Sequence, residues 1–103
     1  MSELNEIERA NAKWIGELFM RYQLMEECGE LVKAISKYHR TIGIGQPTET
    51  TTDKAYDDLV SELVDVQICI DSLVYLMGIS GEEIQAKKRD AISKVAQRRL
   101  ENE

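Results

Sequence analysis

Cysteine, proline and histidine are scarce in this chain, whose 103 residues include two Cys, one Pro and one His. Two cysteines cannot build a disulfide framework, which favours a reducing compartment such as the cytoplasm. A single proline leaves long stretches without a helix breaker. No apolar run approaches the length of a membrane span, and no signal peptide is evident because charges begin at Glu3. The sequence therefore predicts a cytoplasmic protein without a membrane partner.

The charge balance is acidic, with 19 Asp and Glu against 13 Lys and Arg and a formal net charge of −6. Binding to duplex nucleic acid depends on an excess of Lys and Arg, so we expect no such partner. The acidic excess fits a protein that gathers carboxylates to hold cations. Few aromatic residues and abundant Leu, Ile, Val, Ala, Glu and Lys favour an all-α fold. At this length we expect a single domain over residues 1–103.

Turn and cap residues divide the chain into helices. We expect a short polar helix over residues 3–13, interrupted by "KWIGE" because glycine is a weak helix former. A long second helix follows from about Glu17 to about Arg40. The segment 41–54 has two glycines, the only proline and five threonines, and it predicts the one substantial loop.

The second half of the chain predicts two further helices. The third begins near Asp53 or Lys54, is capped by Thr52 or Asp53, and ends at Gly78. Ser80 and Glu83 have the spacing of a capping box for the last helix. The expected fold is therefore a four-helix bundle-like module with a short first helix and three longer ones.

The third helix is the most apolar element. One set of its residues recurs at alternating steps of four and three, which is typical of a core seam in a bundle: Leu59, Leu63, Val66, Ile70, Leu73 and Met77. A second set spreads apolar character onto other faces: Val60, Val64, Ile68 and Leu76. One small chain cannot cover both sets, so we expect a homo-oligomer in which third helices pair.

Two pairs of acidic residues are the candidates for a cation-binding site. Glu27 and Glu30 in "EECGE" and Glu62 and Asp65 in "SELVD" are each spaced i, i+3, which places both carboxylates of a pair on one helix face. If the two helices run antiparallel, four carboxylates meet in a half-buried site, and a multivalent cation would offset their repulsion. Oxygen-only ligands select hard ions such as Mg²⁺ or Mn²⁺. Gly29 would let the facing helix or a ligand come close.

A solvated helix face is the ordinary explanation of a single acidic pair. Two pairs on different helices, each among apolar residues, favour a functional site. Glu26 is one step round the helix from Glu27, and it is interpreted as a salt-bridge partner or as a helper of the ligands.

The motifs "EECGELVKA" and "SELVDVQICI", about thirty residues apart, resemble the paired E-E-x-x-E and E-x-x-D motifs of the MazG-like all-α nucleoside triphosphate pyrophosphohydrolases. The resemblance covers about residues 17–100 and includes the lead-in "WIGELFMRYQLMEE". It implies a Mg²⁺-dependent enzyme that hydrolyses a nucleoside triphosphate to the monophosphate and pyrophosphate. It also makes a dimer of dimers an alternative to a dimer.

By motif position, the resemblance assigns the metal ligands as Glu27, Glu30, Glu62 and Asp65. A carboxylate that is not fully engaged by metal, Glu26 or Glu30, would take a proton from the attacking water. All five acids are therefore candidate catalytic residues.

Basic residues are candidates for holding the triphosphate. Lys37 follows the acids on the second helix, and the last helix carries Lys94 and Arg98 among six basic residues. A solvated face is the alternative interpretation of that helix. The functional interpretation is that Lys37, together with Lys94 or Arg98, reaches the triphosphate.

Two other classes of protein compete with the pyrophosphohydrolase. A di-iron carboxylate bundle needs Glu-x-x-His motifs on two helices, and one histidine cannot supply them. The second is a catalytically silent helical module that binds nucleotides or drives oligomerisation. An intact acid quartet favours the enzyme, because a binding module has no need to keep it.

Overall fold

A computed structural model describes residues 4–103 of the chain. Within that range the fold is all-α and contains no strand, as the sequence predicts. The four helices in chain order are α1 (Glu6–Ile15), α2 (Glu17–Thr41), α3 (Thr52–Leu76) and α4 (Gly81–Glu101). The first helix therefore starts and ends later than expected, and Glu3, its predicted first residue, lies outside the described range.

Local capping explains where the helices begin. Asn5 caps α1 in a reciprocal box: its Oδ1 accepts from the Glu8 amide at 2.9 Å, and its own amide donates to Glu8 Oε1 at 3.3 Å. Thr51, one residue before the predicted caps, begins α3 by accepting from the Lys54 amide at 3.2 Å. Ser80 Oγ accepts from the Glu83 amide at 3.1 Å, so the predicted cap of α4 is confirmed.

The core is the contact between α2 and α3, with α1 packed on both. Ala34 of α2 lines a cleft with Ala55 of α3, whereas Glu27, seven residues earlier, lies beside Glu62 and Asp65. Residue numbers fall along α2 as they rise along α3, so the two helices are antiparallel. The buried side chains are mostly small: Leu4, Ala12, Met20, Ala34, Ala55, Cys69 and Ser72.

The predicted core seam of α3 is not the buried side of that helix. Leu63 is 51% exposed and Met77 49% exposed, and the other seam residues are only partly covered. The side of α3 turned to α2 instead carries Ala55, Glu62 and Cys69. These short or polar side chains occupy the helix contact, and the large apolar ones lie beside it. The seam prediction therefore holds only in part: Leu59, Val66, Ile70 and Leu73 are half-buried, whereas Leu63 and Met77 are exposed.

The fourth helix stands apart from the other three. Within residues 4–103, no α-carbon of α4 comes within 8 Å of an α-carbon of α1, α2 or α3, and α4 has no buried residue. The radius of gyration is 17.2 Å, against about 13 Å for a compact chain of this length. The helices thus form a bundle-like group of three with a projecting fourth.

We expect Met20→Ala to destabilise the fold by about 2–5 kcal/mol, because this side chain is large and only 2% exposed. Gln23→Ala, on the exposed surface of the same helix, should change stability by no more than about 0.5 kcal/mol. Urea unfolding followed by circular dichroism measures both. Equal midpoints for the two variants would contradict the packing around Met20.

Candidate functional site

Three of the four predicted ligands meet where α2 faces α3. One carboxylate oxygen each from Glu27, Glu62 and Asp65 lies within 4.8 Å of the other two. Glu27 comes from α2 and the other two from adjacent turns of α3, so the antiparallel packing of two separately formed helices creates the cluster. Glu27 and Glu62 are half-buried, and Asp65 is exposed. The site therefore opens to solvent along one side.

The cluster fits a divalent cation. Glu62 Oε2 is buried and finds no hydrogen-bond partner among the described residues. A buried carboxylate oxygen without a donor is costly, and a cation would satisfy it. The donors are all carboxylate oxygens, which suits Mg²⁺ or Mn²⁺ better than softer metals.

The pKa of Glu27 is raised by its position in the acid cluster. Burial raises the pKa of its carboxyl above the ordinary value of 4.5, and a hydrogen bond with Glu62, which requires a proton between the two groups, raises it further. The negative charges of Glu62, Asp65 and Glu26 act in the same direction. Glu26 itself is exposed and affects the cluster through its charge.

Glu30 is not part of this cluster. Its Oε1 accepts from Lys33 Nζ at 3.4 Å, and both side chains line a cleft of about 240 Å³ beside the cluster. Lys37 and Glu62 line the same cleft, so the structure brings the predicted Lys37 to the acid site. The assignment of Glu30 as a metal ligand stays a prediction.

Two cleft residues were not identified from the sequence. Asp58 and Ser61 line the cleft opposite the lysines of α2. Asp58 lies in the second turn of α3, and its side chain accepts a hydrogen bond from Lys54 Nζ at 3.3 Å. Helical spacing could have identified Asp58 as a site residue. Asp58, Glu62 and Asp65 are separated by four and three residues, so they lie on one face of α3.

Other predicted features are not at the site. Lys94 and Arg98 lie on α4, which packs against neither α2 nor α3 within the described chain. A Cβ added at Gly29 would meet no atom of a facing helix within 4 Å, so the close approach of a helix expected there is wrong, whereas the approach of a ligand stays a prediction. Cys69 is buried near the acids, and burial followed by the charges of Glu27 and Asp65 raises its thiol pKa, which disfavours a thiolate ligand.

Comparison with protein-family models, with curated proteins and with solved structures finds no match to this chain. The resemblance to the MazG-like family therefore depends on its motifs alone and stays a hypothesis. None of the helices in residues 4–103 is long and apolar enough to cross a membrane. The cytoplasmic location also stays a prediction.

We expect the metal-free chain to become more stable as the pH falls from neutrality towards 4.5. The pKa of Glu27 is higher in the folded state than its unfolded value of 4.5, so the folded state binds the proton more tightly in this window. The stability is lost again as the pH rises through the folded pKa. Urea unfolding at a series of pH values measures the slope.

The substitution Glu27→Gln should flatten this slope, because the titrating carboxyl is removed at constant volume. Glu82→Gln, at an exposed acid on α4, provides the control for the general effect of net charge. A slope that is the same in the unaltered chain and in Glu27→Gln would show that the acid cluster does not titrate as described.

Proposed function

We propose that this chain hydrolyses a nucleoside triphosphate to the monophosphate and pyrophosphate in a Mg²⁺-dependent reaction. The observation that supports it is the convergence of Glu27, Glu62 and Asp65, with a buried oxygen of Glu62 that lacks a donor. The MazG-like motifs supply the reaction type. Removal of unwanted nucleotides from the cellular pool is the role we infer for it.

Glu27, Glu62 and Asp65 would hold Mg²⁺ or Mn²⁺, with Glu30 as the fourth ligand that the motif implies. When bound, the ion supplies positive charge for phosphate oxygens and lowers the pKa of a coordinated water. This positive charge would offset the repulsion among the carboxylates and the repulsion between the carboxylates and a triphosphate.

The chain's own residues bind the substrate and move the proton. Lys33 and Lys37 line the cleft beside the acids and would bind phosphate oxygens there. Hydrolysis joins a water oxygen to the α-phosphorus as pyrophosphate leaves, and the water's proton passes to a carboxylate. Glu30, in the cleft, and Glu26, exposed beside the cluster, are the two candidates for that base.

The alternative function is a catalytically silent module that binds nucleotides or drives oligomerisation. It is favoured by one observation: Glu30 pairs with Lys33 and leaves three acids rather than four in the cluster. A panel of nucleoside triphosphates, assayed for pyrophosphate release with and without Mg²⁺, separates the two. Binding without pyrophosphate release would select the silent module.

We expect Glu62→Gln to reduce Mg²⁺-dependent hydrolysis by on the order of 100-fold or more, because it removes a ligand charge at constant volume. Glu6→Gln, at an exposed acid of α1, makes the same chemical change away from the site and should keep full activity. Pyrophosphate release measures both. Full activity of Glu62→Gln would refute the assignment.

Metal binding can be measured without activity. Saturating Mg²⁺ at a hundred times its dissociation constant should stabilise the unaltered chain by about 2.7 kcal/mol. Glu62→Gln should lose most of this gain, whereas Glu6→Gln should keep it. An equal gain in all three chains would place the ion elsewhere.

We also propose that the chain is a homo-oligomer, either a dimer or a dimer of dimers. Val60, Val64 and Ile68 of α3 are all exposed, as are Leu63 and Met77 of the predicted seam. Apolar surface of this extent is unusual on a monomer. A second copy is the simplest cover for it.

Sedimentation of the unaltered chain at micromolar concentration should therefore give at least twice the chain mass of 11.8 kDa. The physical reason is that apolar α3 side chains leave water when copies associate. A single species at the chain mass would contradict the oligomer.

A further inference from the structure

A second cavity, separate from the acid cleft, lies where α2 ends. It has a volume of about 390 Å³ and is lined by three residues of α2 and three of the following loop: Ser36, His39, Arg40, Ile44, Gly45 and Gln46. None of them lines the cleft beside the acid cluster. Small-molecule sites typically have volumes of about 300–1,000 Å³. The cavity is therefore large enough for an organic molecule as well as for an ion.

Arg40 brings to this cavity a positive charge that the described chain does not neutralise. Its side chain is half-buried, and its Nε is buried without a hydrogen-bond partner. No carboxylate of residues 4–103 forms an ion pair with it. A buried donor that has lost water and gained no acceptor destabilises the fold. An anionic ligand would supply the acceptor that the protein does not.

The segment around Arg40 has no acid. Residues 31–48 contain three Lys and Arg and no Asp or Glu, a net charge of +3, whereas the whole chain has −6, so the remainder has −9. No carboxylate lines the cavity either. An anion that reaches it is therefore attracted by Arg40 without repulsion from an adjacent acid.

The helix dipole is the ordinary explanation of a basic residue at a helix C-terminus. In that arrangement the side chain often donates to the last carbonyls of the helix. Here the loop amides take that part. The carbonyl of His39 accepts from Ile42 at 3.2 Å and from Ile44 at 2.8 Å, and the carbonyl of Arg40 accepts from Gly43 at 3.4 Å. The helix end is thus satisfied by backbone, and the guanidinium is left for a ligand.

The loop also fixes the position of the Arg40 side chain. Gly43 and Gly45 have φ values of +87° and +84°, a conformation that favours glycine, and the loop can therefore fold back over the helix end. A Cβ at Gly45 would lie 3.5 Å from Cγ of Arg40, so the loop packs on the aliphatic part of this side chain. The same turn brings Ile44 and Gln46 to the cavity wall.

The donors of the cavity exceed what a carboxylate can accept. Arg40, His39, Ser36 and Gln46 all carry N–H or O–H groups. A carboxylate has two oxygens, whereas a phosphate monoester has three terminal oxygens and a charge of about −2 at neutral pH. Ile44, which is 53% exposed, offers an apolar contact for an organic group.

We propose that this cavity binds a small phosphate monoester, with the phosphate at Arg40 and the organic group against Ile44. The site shares no residue with the acid cleft, so it is independent of the proposed function. Nucleoside monophosphates and sugar phosphates both belong to this class of ligand.

Binding can be measured on the whole chain in a chelating buffer, which keeps divalent cations from the acid cluster. We expect phenyl phosphate to shift the NMR amide signals of residues 36–46 in a saturable manner and to leave those of residues 58–65 in place. Benzoate has the same ring with a carboxylate and should bind at least about tenfold more weakly, because it accepts fewer hydrogen bonds. Equal binding of the two, or shifts confined to residues 58–65, would overturn the proposal.

Two cellular sources of the ester can be compared in the same titration. A nucleoside monophosphate and ribose 5-phosphate both carry the phosphate, and the tighter ligand identifies the source. Inorganic phosphate should bind more weakly than either, because it has no organic group to contact Ile44. Inorganic phosphate that binds as tightly as both esters would overturn the assignment of an ester.

The substitution Arg40→Met removes the guanidinium and keeps an unbranched stem beside Gly45. It should weaken the binding of phenyl phosphate by at least about tenfold, because charge-assisted hydrogen bonds are lost. Lys33→Met makes a similar change in the acid cleft and should alter the affinity by less than about twofold. A loss in Lys33→Met without a loss in Arg40→Met would place the phosphate in the acid cleft and overturn the proposal.

Two exposed residues test the site without altering a buried group. Ser36→Ala and Gln46→Ala should each weaken the binding of phenyl phosphate by about threefold, the effect of one lost hydrogen bond. Unaltered affinity in both variants would contradict the site.

The stability of Arg40→Met separates a binding role from a structural one. Since the buried Nε has no partner, its removal should leave the urea midpoint of the ligand-free chain unchanged or raise it. An arginine that only supports the fold would give the opposite result. A midpoint lowered as far as that of Met20→Ala would therefore overturn the proposal.

Discussion

The mutual repulsion of Glu27, Glu62 and Asp65 is the constraint on which the rest of the structure depends. These groups lie in the contact between the two longest helices, where water is partly excluded and charge is weakly screened. Burial first and the neighbouring carboxylates second raise the pKa of Glu27, and a buried oxygen of Glu62 has no hydrogen-bond partner among the described residues. A contact of this kind weakens the fold in isolation, and positive charge brought to it would stabilise the fold.

The composition of the helix contact determines what remains on the surface. Because Ala34, Ala55 and Cys69 occupy it with the acids, little apolar area is buried where α2 meets α3. The large side chains of both helices lie to the sides, and many stay exposed. The site and the uncovered apolar surface therefore have the same cause. The side of α3 that faces α2 carries carboxylates and small residues, so the bulky apolar residues of α3 lie on its other sides.

The sequence predicts local features here better than tertiary ones. Helix period and capping residues act within one or two turns, so the four helices and the cap at Ser80 followed from the pattern. The pairing of Glu27 with Glu62 and Asp65 also followed, because i, i+3 spacing and antiparallel neighbours restrict the geometry. The sequence did not predict which side of α3 faces α2. An apolar seam has the same helical periodicity whether the same chain or another chain covers it.

The position of α4 could not be predicted from the sequence, because no local pattern indicates where a helix packs after a short turn. The positive charges that the structure does bring near the acid cluster are Lys33 and Lys37, which line the cleft with Glu62. A triphosphate in the cleft would add several negative charges beside the cluster, and a bound cation and the cleft lysines would then each have an anionic partner. A divalent cation would therefore stabilise the cluster by itself, and a polyanion would bind more tightly once the cation is present.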